Sequence, residues 1–102
     1  MVPINDKETI LDIIENDYKI IVVSRHYLGS INHTLLTIEM IRSRGFEISG
    51  IIFSGRENET TEEIIEKLSS VQILGRIDEE EVFNKAVVKR YANSFKQVLE
   101  NL

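Results

Sequence analysis

Three runs rich in isoleucine and valine alternate with amphipathic segments, and this alternation constrains the fold more than any other feature of the chain. The runs lie at residues 19–23, 47–53 and 71–74. The segments that follow them carry apolar side chains at helical spacing. Strands that alternate with helices predict crossover connections and a parallel sheet. We therefore expect one α/β domain over residues 1–102, a three-layer arrangement with helices on both faces of the sheet.

The ends of the predicted helices follow from local signals. A first helix is expected over residues 5–17, with an N-cap at its Asn-Asp start. The second is expected to end at Gly45, a typical C′ residue. Thr60 and Glu63 fit a capping box for the third helix. The acidic run at residues 78–81 would open the last helix, where negative charge is favourable.

Composition narrows the class of protein. The 102 residues are 42% apolar, and no apolar run approaches the roughly 18 residues of a membrane span. The net charge of −5 argues against nucleic acid as a partner, because no basic stripe is present to neutralise phosphates. The absence of cysteine excludes disulfides and thiolate sites. The first residues lack the apolar core of a secretory signal, so a cytoplasmic protein is the expectation.

The strand-to-helix junction at residues 24–37 is the strongest candidate for a binding site. A strand's carboxyl end and the free N–H groups of a helix start meet there, and this arrangement binds ligands in open α/β sheets. Backbone N–H groups at Gly29 and Ser30 could hold an anion. With equal weight, the segment is only a tight turn with Ser30 as N-cap. Asn32 and His33 could bind a polar ligand or a second subunit, or they could be solvated on the first turn.

Other polar groups give weaker signals. His26 is expected to be an exposed loop residue. Because His26 and His33 lie seven residues apart without a third ligand, no metal site is expected. Arg25 and Arg56 could each meet a phosphate, although isolated arginines are common. The acidic run at residues 78–81 is expected to be solvated rather than to hold magnesium.

The motifs of several catalytic families are missing from the printed sequence. It contains no Gly-x-x-x-x-Gly-Lys-Ser/Thr phosphate loop, no Gly-x-Ser-x-Gly elbow and no His-Glu-x-x-His helix. No catalytic residue is therefore assigned from the residues alone.

Two segments of the chain resemble dethiobiotin synthetase. Residues 28–37 read LGSINHTLLT, which is similar to the Leu-Gly-x-Ile-Asn-His-x-x-Leu-Thr segment of that family. Residues 44–55 read RGFEISGIIFSG, which is similar to the Gly-hydrophobic-hydrophobic strand that follows it. The opening residues 2–9 also resemble the family segment after its acidic magnesium-binding loop. The similarity covers essentially the whole chain and corresponds to the C-terminal half of the enzyme.

The resemblance implies a partial P-loop NTPase-like fold and a homodimer. The family's reaction, a step of biotin biosynthesis, closes a ureido ring on 7,8-diaminononanoate and requires ATP and magnesium. A family segment reaches across the dimer interface to the substrate's carboxylate end, and its positions here are Gly29, Ser30, Ile31 and Asn32. Backbone N–H groups at a helix start suit a carboxylate, so the chemistry and the resemblance agree.

The resemblance also implies nucleotide-binding positions, from which this chain departs twice. The family strand usually ends in Asn, which reads the adenine edge; this chain has Ser54 there, followed by Gly55. A Pro-containing family loop against the adenine is replaced here by Asp78, Glu79 and Glu80. The family's phosphate loop, catalytic lysines and acidic magnesium ligands belong to its N-terminal half, and none of them can be assigned to this chain.

We therefore expect the chain to supply the dimer interface and the substrate-carboxylate side of a dethiobiotin synthetase site. By itself it is expected to show no ATPase or ligase activity. The exposed edge of so small a sheet should pair with something else, such as the missing N-terminal half. The alternative is a stand-alone α/β module for binding or dimerisation without catalysis.

Overall fold

A parallel sheet with helices on both faces forms the protein. The structure, a computed structural model, describes residues 5–15, 17–27 and 29–102. In these residues the sheet has three strands in the order β1-β2-β3, namely β1 (Ile20–Arg25), β2 (Ile48–Ser54) and β3 (Ile73–Ile77). The described helices are α1 (Ser30–Ser43), α2 (Glu59–Ser69) and α3 (Lys85–Glu100). The predicted α/β class with a parallel sheet is confirmed.

One face of the sheet is packed against α1 and α2. Ile51 and Phe53 point to this face from β2, and both are completely buried. They lie in one apolar cluster with Ile38 of α1 and Ile65 of α2, which are buried to a similar extent. Burying side chains of this size stabilises the fold by about 1.5–3 kcal/mol each. This face is therefore the main core of the described residues.

The opposite face is covered only in part. Side chains alternate along a strand, so Ile52 points away from the core that contains Ile51 and Phe53. It is paired with Gly75 on β3. A Cβ atom on Gly75 would lie 2.4 Å from Cε1 of Phe95, so the α3 ring occupies the space above this glycine. On β1, however, Val23 is 64% exposed. Helices on both faces are confirmed, with Val23 of β1 left largely uncovered by the described residues.

The end of α1 matches the sequence prediction. The N–H of Gly45 donates to the carbonyl of Arg42 at 2.9 Å, and the N–H of Phe46 donates to that of Ile41 at 3.4 Å. These are the paired bonds of a Schellman motif, with Phe46 packed against the apolar cluster. Gly45 is therefore the C′ residue, as predicted.

The predicted first helix is wrong. Residues 5–15 contain one 3₁₀ turn at Ile10–Ile13, of which only Leu11 is buried. The Asn5 side chain accepts from the N–H groups of Lys7 and Glu8 at 2.8 Å each, which forms a local turn rather than a helix cap. The turn has one buried apolar side chain, too few to stabilise a longer helix. The predicted end near residue 16 and the opening at residues 1–4 lie outside the described residues.

The other two predicted helix starts are also corrected. The N-cap of α2 is Asn58, whose side chain accepts from the N–H of Thr61 at 3.1 Å, so the capping box at Thr60 and Glu63 is wrong. The helix α3 begins after Asn84, which accepts from the N–H of Val87 at 3.0 Å. In each case asparagine, a strong N-cap, sets the first turn. The acidic run at residues 78–81 precedes α3 instead of opening it.

The strand β3 lies later in the chain than predicted. It runs to Ile77, so Gly75 is an interior strand residue rather than the end of the strand. Among the described residues, no helix is both long and apolar enough to cross a membrane.

Candidate functional site

The loops that follow the described strands lie side by side at one edge of the sheet. The N–H of His26 donates to the carbonyl of Ser54 at 3.0 Å, and the N–H of Gly55 donates to the carbonyl of Ile77 at 2.9 Å. The parallel ladder therefore continues into the loops. The loops after β1, β2 and β3 therefore converge at this edge of the sheet.

The start of α1 exposes backbone N–H groups. Gly29 is the N-cap, with a φ of +88° that an L side chain would strain. Ser30 is the first helical residue, and its N–H donates to the carbonyl of Tyr27 at 3.0 Å. The interpretation of Ser30 as N-cap is therefore wrong. The N–H groups of Ile31 and Asn32 lie in the first turn and have no intrahelical acceptor, and the N-cap glycine has no side chain that could accept from them.

A buried hydroxyl pair fixes this helix start on the sheet. The Oγ atom of Ser24, at the end of β1, lies 2.7 Å from Oγ1 of Thr34 in the first turns of α1. Both residues are at most 6% exposed. A buried hydroxyl is costly unless it is paired, so this bond ties α1 to β1 at one position. Thr34 therefore faces the sheet rather than the solvent.

Tyr27 and His33 form a second brace, at the surface. The Tyr27 hydroxyl is hydrogen-bonded to Nδ1 of His33, and the two rings lie 5.6 Å apart. Both residues are exposed. His33 is thus on the solvated first turn of α1, and it holds the loop that leads to Gly29.

A cavity of about 770 Å³ lies between the starts of α1 and α2. Its lining includes the predicted substrate-binding residues together: Gly29, Ser30, Ile31 and Asn32. The other lining residues include Leu35, Arg56 and Thr61. Leu35 lies four residues after Ile31, so helical spacing could have indicated it. Thr61 could not be foreseen, because the start of α2 was misplaced.

His26 is a correction to the sequence prediction. Its side chain is only 9% exposed, and its ring stacks on Phe53 with centroids 5.2 Å apart and planes 7° from parallel. Nε2 lies 3.0 Å from Oε2 of Glu62 on α2. Its Nδ1 is buried and has no hydrogen-bond partner among the described residues. The ring was expected to be exposed because Glu62 is 36 residues away in sequence.

The acidic loop after β3 is held by hydrogen bonds. Arg76 pairs with Asp78 at 3.0 Å, and the N–H of Asp78 donates to the hydroxyl of Tyr91 at 2.9 Å. That hydroxyl donates to Glu80 at 2.8 Å, and Arg90 pairs with the same carboxylate. The expectation of a helix start at residues 78–81 is therefore wrong, since basic and phenolic groups from β3 and α3 position these residues as a loop. The expected solvation holds for Asp78, Glu79 and Glu81, which are exposed.

A second cavity, of about 510 Å³, lies beside this loop. Residues 78–81 line it together with Arg56 and Glu57, which also line the first cavity. Asp78, Glu79 and Glu80, predicted from the resemblance to contact a nucleotide, are thus brought together. Ser54 ends β2 and Gly55 follows it, but neither lines this cavity. In the described part of the chain, no group of three or more His, Asp or Glu side chains has the geometry of a metal site.

Comparison with known proteins identifies the class to which this fold and site belong. Residues 1–87 match the family model described as AAA domain, and the chain belongs to this family. The sheet and helices are consistent with part of a P-loop NTPase-like domain.

Within that class, the chain is similar to proteins named ATP-dependent dethiobiotin synthetase BioD. The protein of that name from Christiangramia forsetii is 57% identical over 99 residues, which cover 97% of this chain and 48% of the relative. Its counterparts from Cytophaga hutchinsonii and Chlamydia felis are 43% and 38% identical, over 90% and 79% of this chain. The chain spans about half the length of the C. forsetii relative, and 45% and 38% of the other two. The resemblance read from the sequence is confirmed.

Proposed function

We propose that this chain supplies the carboxylate-binding part of a dethiobiotin synthetase site. The ligand is 7,8-diaminononanoate, the substrate of ureido ring closure in biotin biosynthesis. The observation that carries this proposal is the first cavity, in which all four residues of the motif line one space at a helix start without a side-chain cap.

The chemistry of the cavity supports an anion with an aliphatic chain. The N–H groups of Ile31 and Asn32 point out of the helix start, where the helix dipole favours negative charge. Arg56 lies on the wall and can add a charge-assisted hydrogen bond. The side chains of Ile31 and Leu35 supply apolar surface beside these polar groups. A carboxylate followed by methylene groups matches both features.

The described residues do not fit the whole of ATP or a magnesium ion. The second cavity is lined mainly by carboxylates, which repel phosphates, and the printed sequence has no phosphate loop. ATP dependence is part of the names of the relatives. We propose that the groups for triphosphate and magnesium come from a segment corresponding to the part of the relatives that this chain does not match. Asp78, Glu79, Glu80, Ser54 and Gly55 would then contact only the base end of the nucleotide.

The sheet offers a place for that segment. In the described residues β1 lies at the edge of the sheet, and Val23 on it is 64% exposed. An unpaired edge beside an exposed valine favours the addition of another strand. A homodimer and a cytoplasmic location are further parts of this proposal that rest on the family resemblance.

A stand-alone binding or dimerisation module is the second candidate. Leu36 and Met40, four residues apart on α1, are 59% and 43% exposed. Such a pair on the outer side of α1 suits a protein partner. In that case the cavity would have no specific small ligand.

Calorimetric titration of the chain with 7,8-diaminononanoate tests the first proposal. Saturable heat is expected with this ligand. The matched control is the amide of the same compound, which keeps the chain and both amines but lacks the negative charge. If the amide binds as tightly as the carboxylate, the proposed recognition of the carboxylate is wrong.

A further inference from the structure

One carboxylate oxygen joins the loops that carry the candidate site. Oε2 of Glu62 accepts a hydrogen bond from Nε2 of His26 at 3.0 Å and from Nη2 of Arg76 at 2.5 Å. It also accepts from the backbone N–H of Asn58 at 3.2 Å. The Glu62 side chain is only 13% exposed. Hydrogen bonds to a partly buried, ionised acceptor are stronger than those between neutral groups.

Each of these donors lies in, or is bonded to, a different loop of the site. His26 directly follows β1 and begins the segment that leads to Gly29. Asn58 ends the loop that carries Arg56, and it caps α2. Arg76 lies in β3 and pairs through Nη1 with Asp78 on the acidic loop. Glu62 is therefore bonded to the loops after β1 and β2, and to the strand β3, whose Arg76 also holds the acidic loop.

The His26 ring depends on this carboxylate for its orientation. Because a carboxylate can only accept, Nε2 must carry the hydrogen, and this fixes which ring nitrogen faces Glu62. The buried Nδ1 adds no bond within the described residues. The ring is then held by the bond to Glu62 and by its stacking on Phe53. Without Glu62, only the stacking would hold the ring in this orientation.

We propose that Glu62 is a positioning residue for the first cavity. It holds the His26 end of the Gly29 loop against the start of α2, and so sets the distance between the α1 N–H groups and Arg56. Its effect on ligand affinity depends on the proposed function, but its effect on the loops does not. Preorganised walls of this kind are what a small anion needs for tight binding.

The test uses the 102-residue chain with Glu62→Gln and the matched control Glu63→Gln. Glu63 is the next residue on α2 and is exposed, so the control makes the same charge change without the contacts. Amide NMR signals of Gly29, Ser30, Gly55 and Asp78 report on the loops, and ring nitrogen shifts report on His26. Glu62→Gln is expected to move signals in every one of these loops, and to weaken 7,8-diaminononanoate binding about tenfold. Glu63→Gln is expected to change neither.

The outcomes separate this inference from the proposed function. If Glu62→Gln moves only α2 signals and matches the control in affinity, the positioning role is overturned. If the wild-type chain binds no diaminononanoate, the proposed function fails, and the NMR displacements alone then decide the role of Glu62.

A second variant keeps the inference testable if Glu62→Gln does not fold. His26→Phe preserves a ring on Phe53 and removes only the bond to Glu62. Signals of Gly29 and Ser30 should move, whereas that of Asp78 should not. Unchanged Gly29 and Ser30 signals in this variant would also overturn the proposal.

Discussion

The two cavities at the loop edge of the sheet share a wall but differ in the charge they can accept. The first is lined by backbone N–H groups at a helix start and by apolar side chains, whereas the second is lined mainly by carboxylates. Arg56 and Glu57 separate them. The difference supports the proposal of a small anion in the first cavity. The second suits only a neutral or cationic group that donates hydrogen bonds.

The largest expected effect concerns nucleotide turnover. The isolated chain is expected to release no ADP from ATP and magnesium, because carboxylates line the second cavity and no phosphate loop is present. A coupled assay for ADP measures this, with the C. forsetii relative as a positive control. Magnesium-dependent ADP release from the purified chain would contradict the assignment of the two cavities.

The next effect concerns how rigidly the first cavity is built. Thr34→Val leaves the buried hydroxyl of Ser24 without its partner, so the free energy of unfolding should fall by about 1–3 kcal/mol. Urea denaturation measures this loss. The double variant Ser24→Ala with Thr34→Val removes both polar groups and should recover part of it. If the double variant is less stable than Thr34→Val, the unpaired Ser24 hydroxyl is not the cause of the lost stability.

A smaller effect is expected at the shared wall. Arg56→Gln should weaken diaminononanoate binding about threefold, since an exposed cation contributes little more than this to holding an anion. Glu57→Gln removes a negative charge from the same wall and should strengthen binding slightly. Calorimetric titration of both variants tests whether each substitution lowers or raises the affinity for diaminononanoate. Equal effects in the same direction would mean that the wall charge does not distinguish the cavities.

The smallest effect should come from a carboxylate far from either cavity. The hydrogen bond from the backbone N–H of Thr9 and the pairing with Arg44 hold the pKa of Asp12 below its ordinary 3.8. A lowered pKa means that Asp12 contributes stability above pH 3.8, and that this contribution is lost as the pH falls through the lowered value. Thermal unfolding of Asp12→Asn against wild type should therefore differ at neutral pH and converge in acid. A difference that grows in acid would contradict this sign.

Local patterns were enough to predict β1, β2 and the extent of α1, whereas β3 was predicted two residues too early. Their isoleucine and valine runs and the helical spacing after them reflect burial against neighbours close in sequence. Gly29, Ser30 and Asn32 stood out at this junction from the residues alone, whereas Ile31 was added by the family resemblance; all four line the first cavity. Gly45 was predicted because a C′ glycine is a local signal.

The failures came from contacts that no local pattern reveals. The acidic run looked like a helix start, but Arg76, Arg90 and Tyr91 hold it as a loop. His26 looked exposed because its partner Glu62 comes from another helix. The prediction of the first helix failed for the opposite reason. Its cap signals were present, but Leu11 is the only residue of the 3₁₀ turn that is buried. Tertiary partners decided each case.

The contact between Gly75 and Phe95 has a consequence on the other side of the sheet. Adjacent strand residues face opposite ways, so a slip of β3 by one position would bring a side chain beneath the Phe95 ring. That site has no room even for a methyl group. The aromatic ring therefore disfavours any other register of β3, and the observed register keeps Arg76 facing Glu62 at the loop edge. An apolar contact on one face thus determines which charges meet on the other.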